Sequence, residues 1–353
     1  MRRVHFCAGL EESNGMAVVA RFLAKEQDAQ LLDVRDADYR KIRDVDEVWV
    51  HSCWTPEVWR ACRIASKEGK SLVRMMHGNL DPVRLGYHSW KKHLVGFIER
   101  FFLRQADMVV ATCEAEAEWI RKYEPRVKKI EVTDIKRFFE LGREFGSDGK
   151  IEAWRRGFQP RQLGDQNANS EATLTRQDAA SPKGERDSLH ILYLGRRHPL
   201  KGVEYLEKAV AELNSNLVNS VLSASPRLCV RLVSNAFGEE LEKVWNWCDV
   251  LVLPTLSDNF GLVIAEALER GKRVITTDGA PAWGEGLSRV ERVDRVEGEE
   301  GSRVDRVDGG IWSGYGGRLI YLKGYREGTK EQRIELLRRA IELMSVGEMM
   351  AVS

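Results

Sequence analysis

Two cations follow a short apolar run in the second half of the chain. In "ILYLGRRHPLKGVEYLEKA" the run ends at Gly195, Arg196 comes next, and Lys201 and Gly202 stand at the start of an amphipathic stretch. Arginine offers a bidentate fork and lysine a compact charge, a combination suited to a diphosphate. The N-terminus of the following helix adds partial positive charge. An exposed basic loop that merely ends a strand remains the alternative for this segment taken alone.

Two acids stand eight residues apart in "LPTLSDNFGLVIAEAL", on either side of the predicted start of a helix. Asp258 precedes that start, and Glu266 falls within the first two turns. The N–H groups near Gly261 and Leu262 lack intrahelical partners, so they can bind phosphate or sugar oxygens. The carboxylates can accept hydrogen bonds from the hydroxyls of a sugar and a ribose. The alternative is an N-cap aspartate and a surface glutamate, but the apolar neighbours of Glu266 favour the first interpretation.

Polar residues also follow two predicted strands in the first half. His77 and Asn79 stand in "SLVRMMHGNLDP", and His51 and Trp54 in "DEVWVHSCWTP". A histidine at a strand end can donate a hydrogen bond to a transferred sugar or a leaving phosphate, which makes His77 a candidate catalytic residue. A structural histidine that caps a loop is the alternative. His51, Trp54 and Asn79 are candidates for contact with a second substrate.

The loop "GLEESNGMAVV" precedes the first predicted helix. Its helix N-terminus should face a diphosphate or a second substrate. Gly15 is therefore a candidate for diphosphate binding, and Ser13 and Asn14 for binding of the second substrate.

Short β-rich runs alternate with helical patterns in two parts of the chain, which predicts two doubly wound parallel sheets. We expect an N-terminal domain at 1–160 and a C-terminal domain at 189–330, with a helix at 331–353. The polar segment 161–188 is interpreted as a flexible linker. The segment 289–310 repeats Arg-Val-Asp/Glu and is interpreted as a low-complexity surface loop, with a charged recognition surface as the alternative. Ligands should bind in the cleft between the domains, at the carboxyl ends of the strands.

Composition restricts the class of protein and the compartment in which we expect it. The chain has 353 residues, a formal net charge of +1 and 43% hydrophobic residues, which is typical of a soluble two-domain protein with no overall affinity for nucleic acid. Its six cysteines form no Cys-x-x-Cys pair, and several lie in apolar runs, so we expect buried free thiols in a reducing compartment. No signal peptide and no apolar run of membrane-spanning length is present. The expected location is the cytoplasm.

The segment 84–104 carries five cations against one acid, Glu99. Aromatic and apolar residues are interleaved with the charges: Trp90, Leu94, Phe97, Phe101 and Phe102. Two interpretations stay open. One is a basic amphipathic helix that lies on an anionic membrane, which would put the protein at the inner face of the cytoplasmic membrane. The other, which we favour for the aromatic residues, is a helix packed on its own sheet with a solvated basic rim.

The segments "GRRHPLKG" and "CDVLVLPTLSDNFGLVIAEALERGKRVITTDGAPAWGE" resemble the donor-binding half of retaining GT-B glycosyltransferases of family 4. The similarity covers roughly residues 190–285 and implies a GT-B fold, with two Rossmann-like domains facing a cleft. It implies that Arg196 and Lys201 bind the donor diphosphate, that Asp258 contacts the transferred sugar, and that Glu266 contacts the ribose. Asn259 and Phe260 lie in the same sugar-binding loop. Two features depart from the family: position 258 is usually Glu, and one strand–helix unit before the acidic motif is missing.

The resemblance implies an enzyme that transfers a sugar from a nucleotide-diphosphate-sugar to a glycan or lipid-linked acceptor, with retention, in cell-envelope polysaccharide or lipopolysaccharide synthesis. We expect no cofactor and no metal, because no Asp-x-Asp motif stands at a strand end. The alternatives are an inactive GT-B partner subunit, a sugar-nucleotide epimerase and, disfavoured by the near-neutral charge, a nucleic-acid-binding protein.

Overall fold

Two β-sheets covered by helices form the frame of the molecule. The computed structural model describes residues 1–10, 15–87, 89–133, 188–219, 227–234, 236, 238–284, 287–292 and 310–346. Ser13, Asn14 and the predicted linker up to residue 187 lie outside these ranges.

The first sheet has six parallel strands in the order β2-β1-β3-β4-β5-β6. The strands are β1 (Arg3–Cys7), β2 (Gln30–Asp33), β3 (Glu47–His51), β4 (Ser71–Met75), β5 (Met108–Ala111) and β6 (Ile130–Val132). The helices are α1 (Gly15–Glu26), α2 (Pro56–Lys67), α3 (Pro82–Gly86), α4 (Ser89–Gln105) and α5 (Glu114–Tyr123).

Local sequence explains where these helices begin and which face they bury, as α2 illustrates. The hydroxyl of Thr55 accepts a hydrogen bond from the N–H of Val58 at 3.4 Å, and proline occupies the first turn, where its missing N–H costs nothing. Val58, Ala61, Cys62 and Ala65 are buried at the 3.6-residue spacing of a helix.

The alternating side chains of the strands divide the first sheet between two cores. Val48 and Val50 point into one cluster with Phe6 and Leu72. Trp49 points to the opposite face, into a second cluster that continues into the other half of the molecule. Both faces of the sheet are therefore covered, as a parallel sheet requires.

The second sheet has seven strands in the order β11-β12-β13-β10-β9-β7-β8. They are β7 (Ser188–Leu194), β8 (Arg227–Val233), β9 (Val250–Leu253), β10 (Arg273–Thr277), β11 (Ser288–Arg292), β12 (Gly310–Gly314) and β13 (Leu319–Lys323). The helices are α6 (Val203–Asn219), α7 (Gly238–Trp247), α8 (Leu262–Glu269) and α9 (Lys330–Val346). Strands β7 to β10 and β13 run parallel, whereas β12 runs antiparallel to both of its neighbours.

The interpretation of 289–310 as one surface loop is wrong at its two ends. Arg289 to Arg292 belong to β11, and Gly310 begins β12, so the described ends of the segment extend the sheet. The charged triplets hid this strand because they lack the apolar alternation that predicts one. Residues 293–309 lie outside the described ranges.

The cysteines agree with the sequence-based expectation. All six are free thiols, and all except Cys229 are buried. Burial raises the pKa of Cys62 to about 11 and that of Cys7 to about 12, so these thiols are protonated at neutral pH. Among the described residues, no helix combines the length and the hydropathy needed to cross a bilayer.

Candidate active site

The loop between β7 and α6 carries the first candidate residues. Lys201 ends a single 3₁₀ turn, and Gly202 follows with a φ of 64°. A Cβ at Gly202 would lie 2.1 Å from the carbonyl oxygen of Pro254, so the position requires glycine. The carbonyl of Leu200 accepts a hydrogen bond from the N–H of Leu256 at 2.8 Å. These contacts join two loops. The first, residues 195–202 between β7 and α6, is called the basic loop, and the second, residues 254–261 between β9 and α8, is called the acidic loop.

Lys201 and Asp258 are brought into direct contact. The Lys201 ammonium donates a hydrogen bond to one carboxylate oxygen of Asp258, and the N–H of Gly261 donates to the other at 3.0 Å. Burial alone would raise the pKa of Asp258, but the charge and hydrogen bond of Lys201, with Arg84 and the Gly261 N–H, hold that pKa below its usual value. Asp258 is therefore ionised. It is not the N-cap residue of α8, because Gly261 occupies that position.

The two arginines of the basic loop differ in their surroundings. Arg197 forms an ion pair with Glu207 at 2.6 Å. Arg196 is exposed and has no ion-pair partner in the part of the chain that the structure describes. Glu266 is half-buried in the second turn of α8. Arg196 is thus the arginine available for an anionic ligand.

Phe260 differs from its predicted role in sugar binding. Its side chain is only 4% exposed and packs against Trp283, with ring centroids 5.3 Å apart. Its carbonyl accepts a hydrogen bond from the Trp283 indole N–H at 2.5 Å. The ring of Phe260 belongs to the core and fixes the loop, so direct contact of this ring with a sugar is not supported.

Residues from the two sheets approach each other across the cleft. A Cβ on Gly15, the first residue of α1, would lie 3.2 Å from the Leu262 side chain, at the first turn of α8. A Cβ on Gly78 would lie 2.6 Å from the side chain of Asn259. Gly15 and the loop after β4 therefore face the start of α8 and the side chain of Asn259 across the cleft.

The loop after β4 is held by a buried acid that the sequence analysis missed. Glu116, on α5, accepts hydrogen bonds from the N–H of Gly78 at 2.5 Å and from the N–H and hydroxyl of Thr112 at 2.8 and 2.6 Å. Asn79 donates its amide to the carbonyl of Met76 at 2.8 Å. His77, with a φ of 52°, is thereby fixed in the left-handed region. Nothing local distinguishes Glu116 from its neighbouring glutamates in "EAEAE".

His51 does not lie where the sequence predicted. It is fully buried, and its two ring nitrogens lie 3.0 Å from His5 Nδ1 and 2.9 Å from His77 Nε2. Both nitrogens are therefore occupied within the protein, and the predicted contact of His51 with the acceptor is wrong.

Trp54 is half-buried, and its backbone lies in the left-handed region with a φ of 70°. Its ring meets Tyr123 edge to face at 6.0 Å, while its indole N–H has no hydrogen-bond partner among the described residues. Ser52, Trp54 and His77 all have positive φ, at the carboxyl ends of β3 and β4. Such strained positions cluster at functional sites.

A polar cluster links the two halves beside the cleft. Asp81 accepts a hydrogen bond from the Ser257 hydroxyl at 2.5 Å, and Arg326 forms an ion pair with the same carboxylate. Arg84 donates to the Ser257 hydroxyl at 3.0 Å. The Arg326 guanidinium also lies 5.4 Å from the centre of the Trp119 ring. We call Asp81, Ser257 and Arg326 the interdomain clasp.

Among the described residues, no group of His, Cys, Asp or Glu has the arrangement of a metal site.

Comparisons with known proteins identify the family and the fold of the chain. Residues 29–134 match the model of the glycosyl transferase 4-like domain, and residues 188–289 match that of the glycosyl transferases group 1. Together the two matches cover more than half of the chain. A sequence search of curated proteins finds no match.

Several solved structures share the fold at low sequence identity. The α,α-trehalose 6-phosphate synthase of Burkholderia multivorans is 11% identical, with a TM-score of 0.55 over 99% of this chain and 92% of that one. The UDP-forming synthase of Burkholderia xenovorans is 12% identical, with a TM-score of 0.53 over 99% and 93%. HepE of Anabaena, solved with UDP, is 13% identical, with a TM-score of 0.51 over 99% and 93%. The chain is therefore a glycosyltransferase with the GT-B fold, built from a glycosyl transferase 4-like domain and a group 1 domain.

Proposed function

We propose that this enzyme transfers a sugar from a nucleoside-diphosphate-sugar whose diphosphate binds between Arg196, Lys201 and the N-terminus of α8. The observation that carries the proposal is the hydrogen bond from the N–H of Leu256 to the carbonyl oxygen of Leu200, which joins the basic loop to the acidic loop. This contact brings the loop that carries Arg196 and Lys201 next to the loop that leads into α8, whose N-terminus favours an anion.

The base is proposed to be uracil. HepE was solved with UDP, and the synthase from Burkholderia xenovorans is UDP-forming. Both resemble this chain in fold alone, so they indicate which nucleotide to test first. We propose a UDP-hexose as the donor.

The contact between Lys201 and Asp258 suggests how the donor is accommodated. A diphosphate carries more charge than one carboxylate and competes with Asp258 for the Lys201 ammonium. Asp258 keeps its bond to the Gly261 N–H, and its second oxygen becomes available to a hydroxyl of the transferred sugar. Glu266 would accept hydrogen bonds from the ribose hydroxyls, as the family resemblance implies. Arg196, Lys201 and the start of α8 then stabilise the charge that develops on the leaving nucleoside diphosphate.

The family resemblance supports a stereochemical outcome and a class of acceptor. We propose transfer with retention of the anomeric configuration to a glycan or lipid-linked acceptor in cell-envelope synthesis. His77 faces the donor sugar, while Trp54 and Asn79, with Ser13 and Asn14, form the acceptor side. Trp54 is half-buried in the loop after the carboxyl end of β3, where ligands of parallel sheets bind, and this position supports its proposed contact with the acceptor.

Helix α4 supports a proposed contact with an anionic membrane at the cytoplasmic face. Trp90, Leu94, Phe97 and Phe101 recur at the spacing of one helix face, with side chains 66%, 68%, 69% and 48% exposed. The sequence analysis favoured packing of the aromatic residues on their own sheet, and for Trp90, Phe97 and Phe101 this prediction is wrong. Only Phe102 is buried as expected, at 7%.

Charge on the same helix favours a membrane as the partner of this exposed face. Arg100 lies over the ring of Tyr123 at 4.6 Å, and Arg104 lies 3.8 Å from Glu124. Lys92 adds a third cation on α4. An exposed apolar stripe on a helix that also carries cations fits a bilayer that contains anionic lipid.

Donor binding is tested by thermal shift with UDP, GDP, ADP and CMP. Lys201→Ala should weaken UDP binding by about tenfold or more, because hydrogen bonds to charged groups contribute roughly 1.5–3 kcal/mol. Arg196→Ala should do the same, whereas Arg197→Ala is the matched control, since Arg197 pairs with Glu207. Lack of a shift with any nucleotide would contradict the proposed donor site. The anomeric configuration of the product, read by proton NMR, tests retention.

Membrane contact is tested by co-sedimentation with vesicles of phosphatidylcholine, with and without phosphatidylglycerol. The Leu94→Ser and Phe97→Ser double variant should lose binding to the anionic vesicles. Val132→Ser, at another exposed apolar position, is the control and should bind as the unchanged chain does. Equal sedimentation of the double variant and the control would refute the contact.

A further inference from the structure

A row of three buried histidines crosses the first sheet toward the cleft. Gln27 Oε1 lies 3.2 Å from His5 Nε2, His5 Nδ1 lies 3.0 Å from His51 Nε2, and His51 Nδ1 lies 2.9 Å from His77 Nε2. We call these four residues the histidine relay. It begins just after α1, passes β1 and the end of β3, and ends in the loop after β4.

Strand register explains how the rings meet. His5 on β1 pairs in register with Trp49 on β3, and their rings stack at 5.1 Å. His51 follows Trp49 by two residues and therefore points to the same face of the sheet. His77, placed by the Gly78–Glu116 bond, meets the far side of His51 with ring centroids 5.2 Å apart.

Burial keeps the relay uncharged. The pKa of His5 is lowered to about 4 and that of His77 to about 3, and the pKa of His51 is lowered as well, with desolvation as the main cause in each. Glu47 and Arg3 also face His5 and act in opposite directions, and His51 is faced by the other two histidines. A neutral imidazole has one N–H donor and one acceptor nitrogen.

The hydrogen bonds between the neutral rings therefore all donate in the same direction, and the carbonyl oxygen of Gln27 determines which direction this is. The carbonyl oxygen of Gln27 only accepts, so His5 must carry its proton on Nε2 and accept on Nδ1. His51 must then donate from Nε2 and accept on Nδ1, and His77 must donate from Nε2. Its Nδ1 has no hydrogen-bond partner in the described part of the chain.

We propose that Gln27, His5 and His51 are positioning residues that lock His77 in the Nε2–H tautomer, so that its Nδ1 accepts a hydrogen bond from a hydroxyl of the transferred sugar. The sequence alone suggested that His77 donates to a sugar or to the leaving phosphate. With the relay in place, Nδ1 of His77 is an acceptor. An ionised phosphate oxygen also only accepts, so these two atoms cannot form a hydrogen bond with each other. The sugar contact rests on the function proposed above, whereas the tautomer is a property of the unliganded protein.

The tautomer is tested by long-range ¹H–¹⁵N NMR of the histidine rings at pH 8, in which protonated and bare ring nitrogens are resolved. The chain has seven histidines, and replacing those outside the relay one at a time leaves the three relay signals. We expect His5, His51 and His77 all to be protonated on Nε2. Protonation of His77 on Nδ1 would overturn the proposal.

Two substitutions at the half-buried Gln27, which follows α1, provide a matched pair. Gln27→Glu offers only acceptors and should preserve the tautomers. Gln27→Lys offers only donors and should reverse all three rings, moving the His77 proton to Nδ1. A purely structural role for the relay predicts the same His77 spectrum in both variants, and that result would overturn the lock.

The sugar contact is tested with UDP, UDP-glucose and its deoxyfluoro analogues as binding probes. A fluorine cannot donate, so at the contacted position the analogue should bind about two- to tenfold more weakly than UDP-glucose, the range expected for one hydrogen bond. In Gln27→Lys, whose His77 Nδ1–H can donate to fluorine, this difference should shrink while UDP affinity stays unchanged. Equal affinities of all analogues for the unchanged chain would overturn the sugar contact. Failure to bind any probe would refute the proposed donor site, while the NMR result still decides the tautomer.

Discussion

Replacing Glu99 by glutamine should strongly destabilise the N-terminal half. Arg74 on β4 and Glu99 on α4 form an ion pair at 2.6 Å, and both side chains are 0% exposed. The other oxygen of Glu99 accepts from the N–H of Trp54 at 3.1 Å and from the indole of Trp59 at 2.8 Å. The carboxylate therefore joins α4, β4, α2 and the loop after β3.

Glu99→Gln removes the charge and keeps the shape, which leaves the Arg74 guanidinium without a counter-charge in the interior. Breaking a buried pair in this way costs about 3–5 kcal/mol. Domains are stable by only about 5–15 kcal/mol, so much of the stability would be lost. The assay is hydrogen exchange of the β3 and β4 amides by mass spectrometry, because it reports on this half alone. A loss of about 3 kcal/mol makes exchange through unfolding about 100-fold faster.

A second substitution separates charge from packing. Arg74→Met combined with Glu99→Gln removes both charges, while the carbonyl oxygen of the introduced amide can still accept from an indole. We expect the double variant to be more stable than Glu99→Gln alone. Two outcomes would refute the argument from buried charge. One is an amide exchange rate in Glu99→Gln that is less than about fivefold above that of the unchanged chain. The other is a double variant that is less stable than Glu99→Gln alone.

Three further predictions concern the cleft. Gly202→Ala places a Cβ 2.1 Å from a carbonyl oxygen at positive φ, so it should abolish UDP binding in a thermal-shift assay while circular dichroism stays unchanged; normal binding would contradict the close approach. The lowered pKa values of the relay histidines mean that the unfolded state binds protons the folded state does not. The free energy of unfolding should therefore fall as the pH drops from 6.5 toward about 4, by up to about 4 kcal/mol per pH unit for three histidines. Equal urea midpoints at pH 7 and pH 5 would refute this prediction. Asp81→Asn should weaken the interdomain clasp by about 1–3 kcal/mol and increase the radius of gyration in X-ray scattering; an unchanged radius would show that other contacts hold the cleft.

Local patterns predicted the parts of the site that depend on neighbouring residues. Strand–helix alternation indicated both doubly wound sheets, and the expected helix start at Gly261 agrees with its position as the N-cap residue of α8. The rule that ligands bind at the carboxyl ends of parallel strands placed both motifs at one cleft, but it did not predict the direct contact of Lys201 with Asp258.

Contacts between distant segments could not be predicted in this way. Asp81 meets Ser257 and Arg326, which lie 176 and 245 residues away, and no local pattern reports such a pair. His51 stands at a strand end, where an exposed side chain is expected, but strand alternation places it on the same face of the sheet as Trp49. The face of α4 that points outward depends on Glu99, whose burial as one half of an ion pair reverses the usual preference of an acid for solvent.

The pairing of β11 with β12 bears on how this chain can change over generations. Arg292 and Gly310 are cross-strand partners, so the chain leaves and re-enters the sheet at neighbouring points. The cost of closing a loop between two fixed points grows only with the logarithm of its length, by about 0.6 kcal/mol for each doubling. We therefore expect that a gain or loss of Arg-Val-Asp/Glu triplets between these two points would leave the pairing of β11 with β12 in place. Natural variants of this chain should differ in repeat number at this position while keeping both strands.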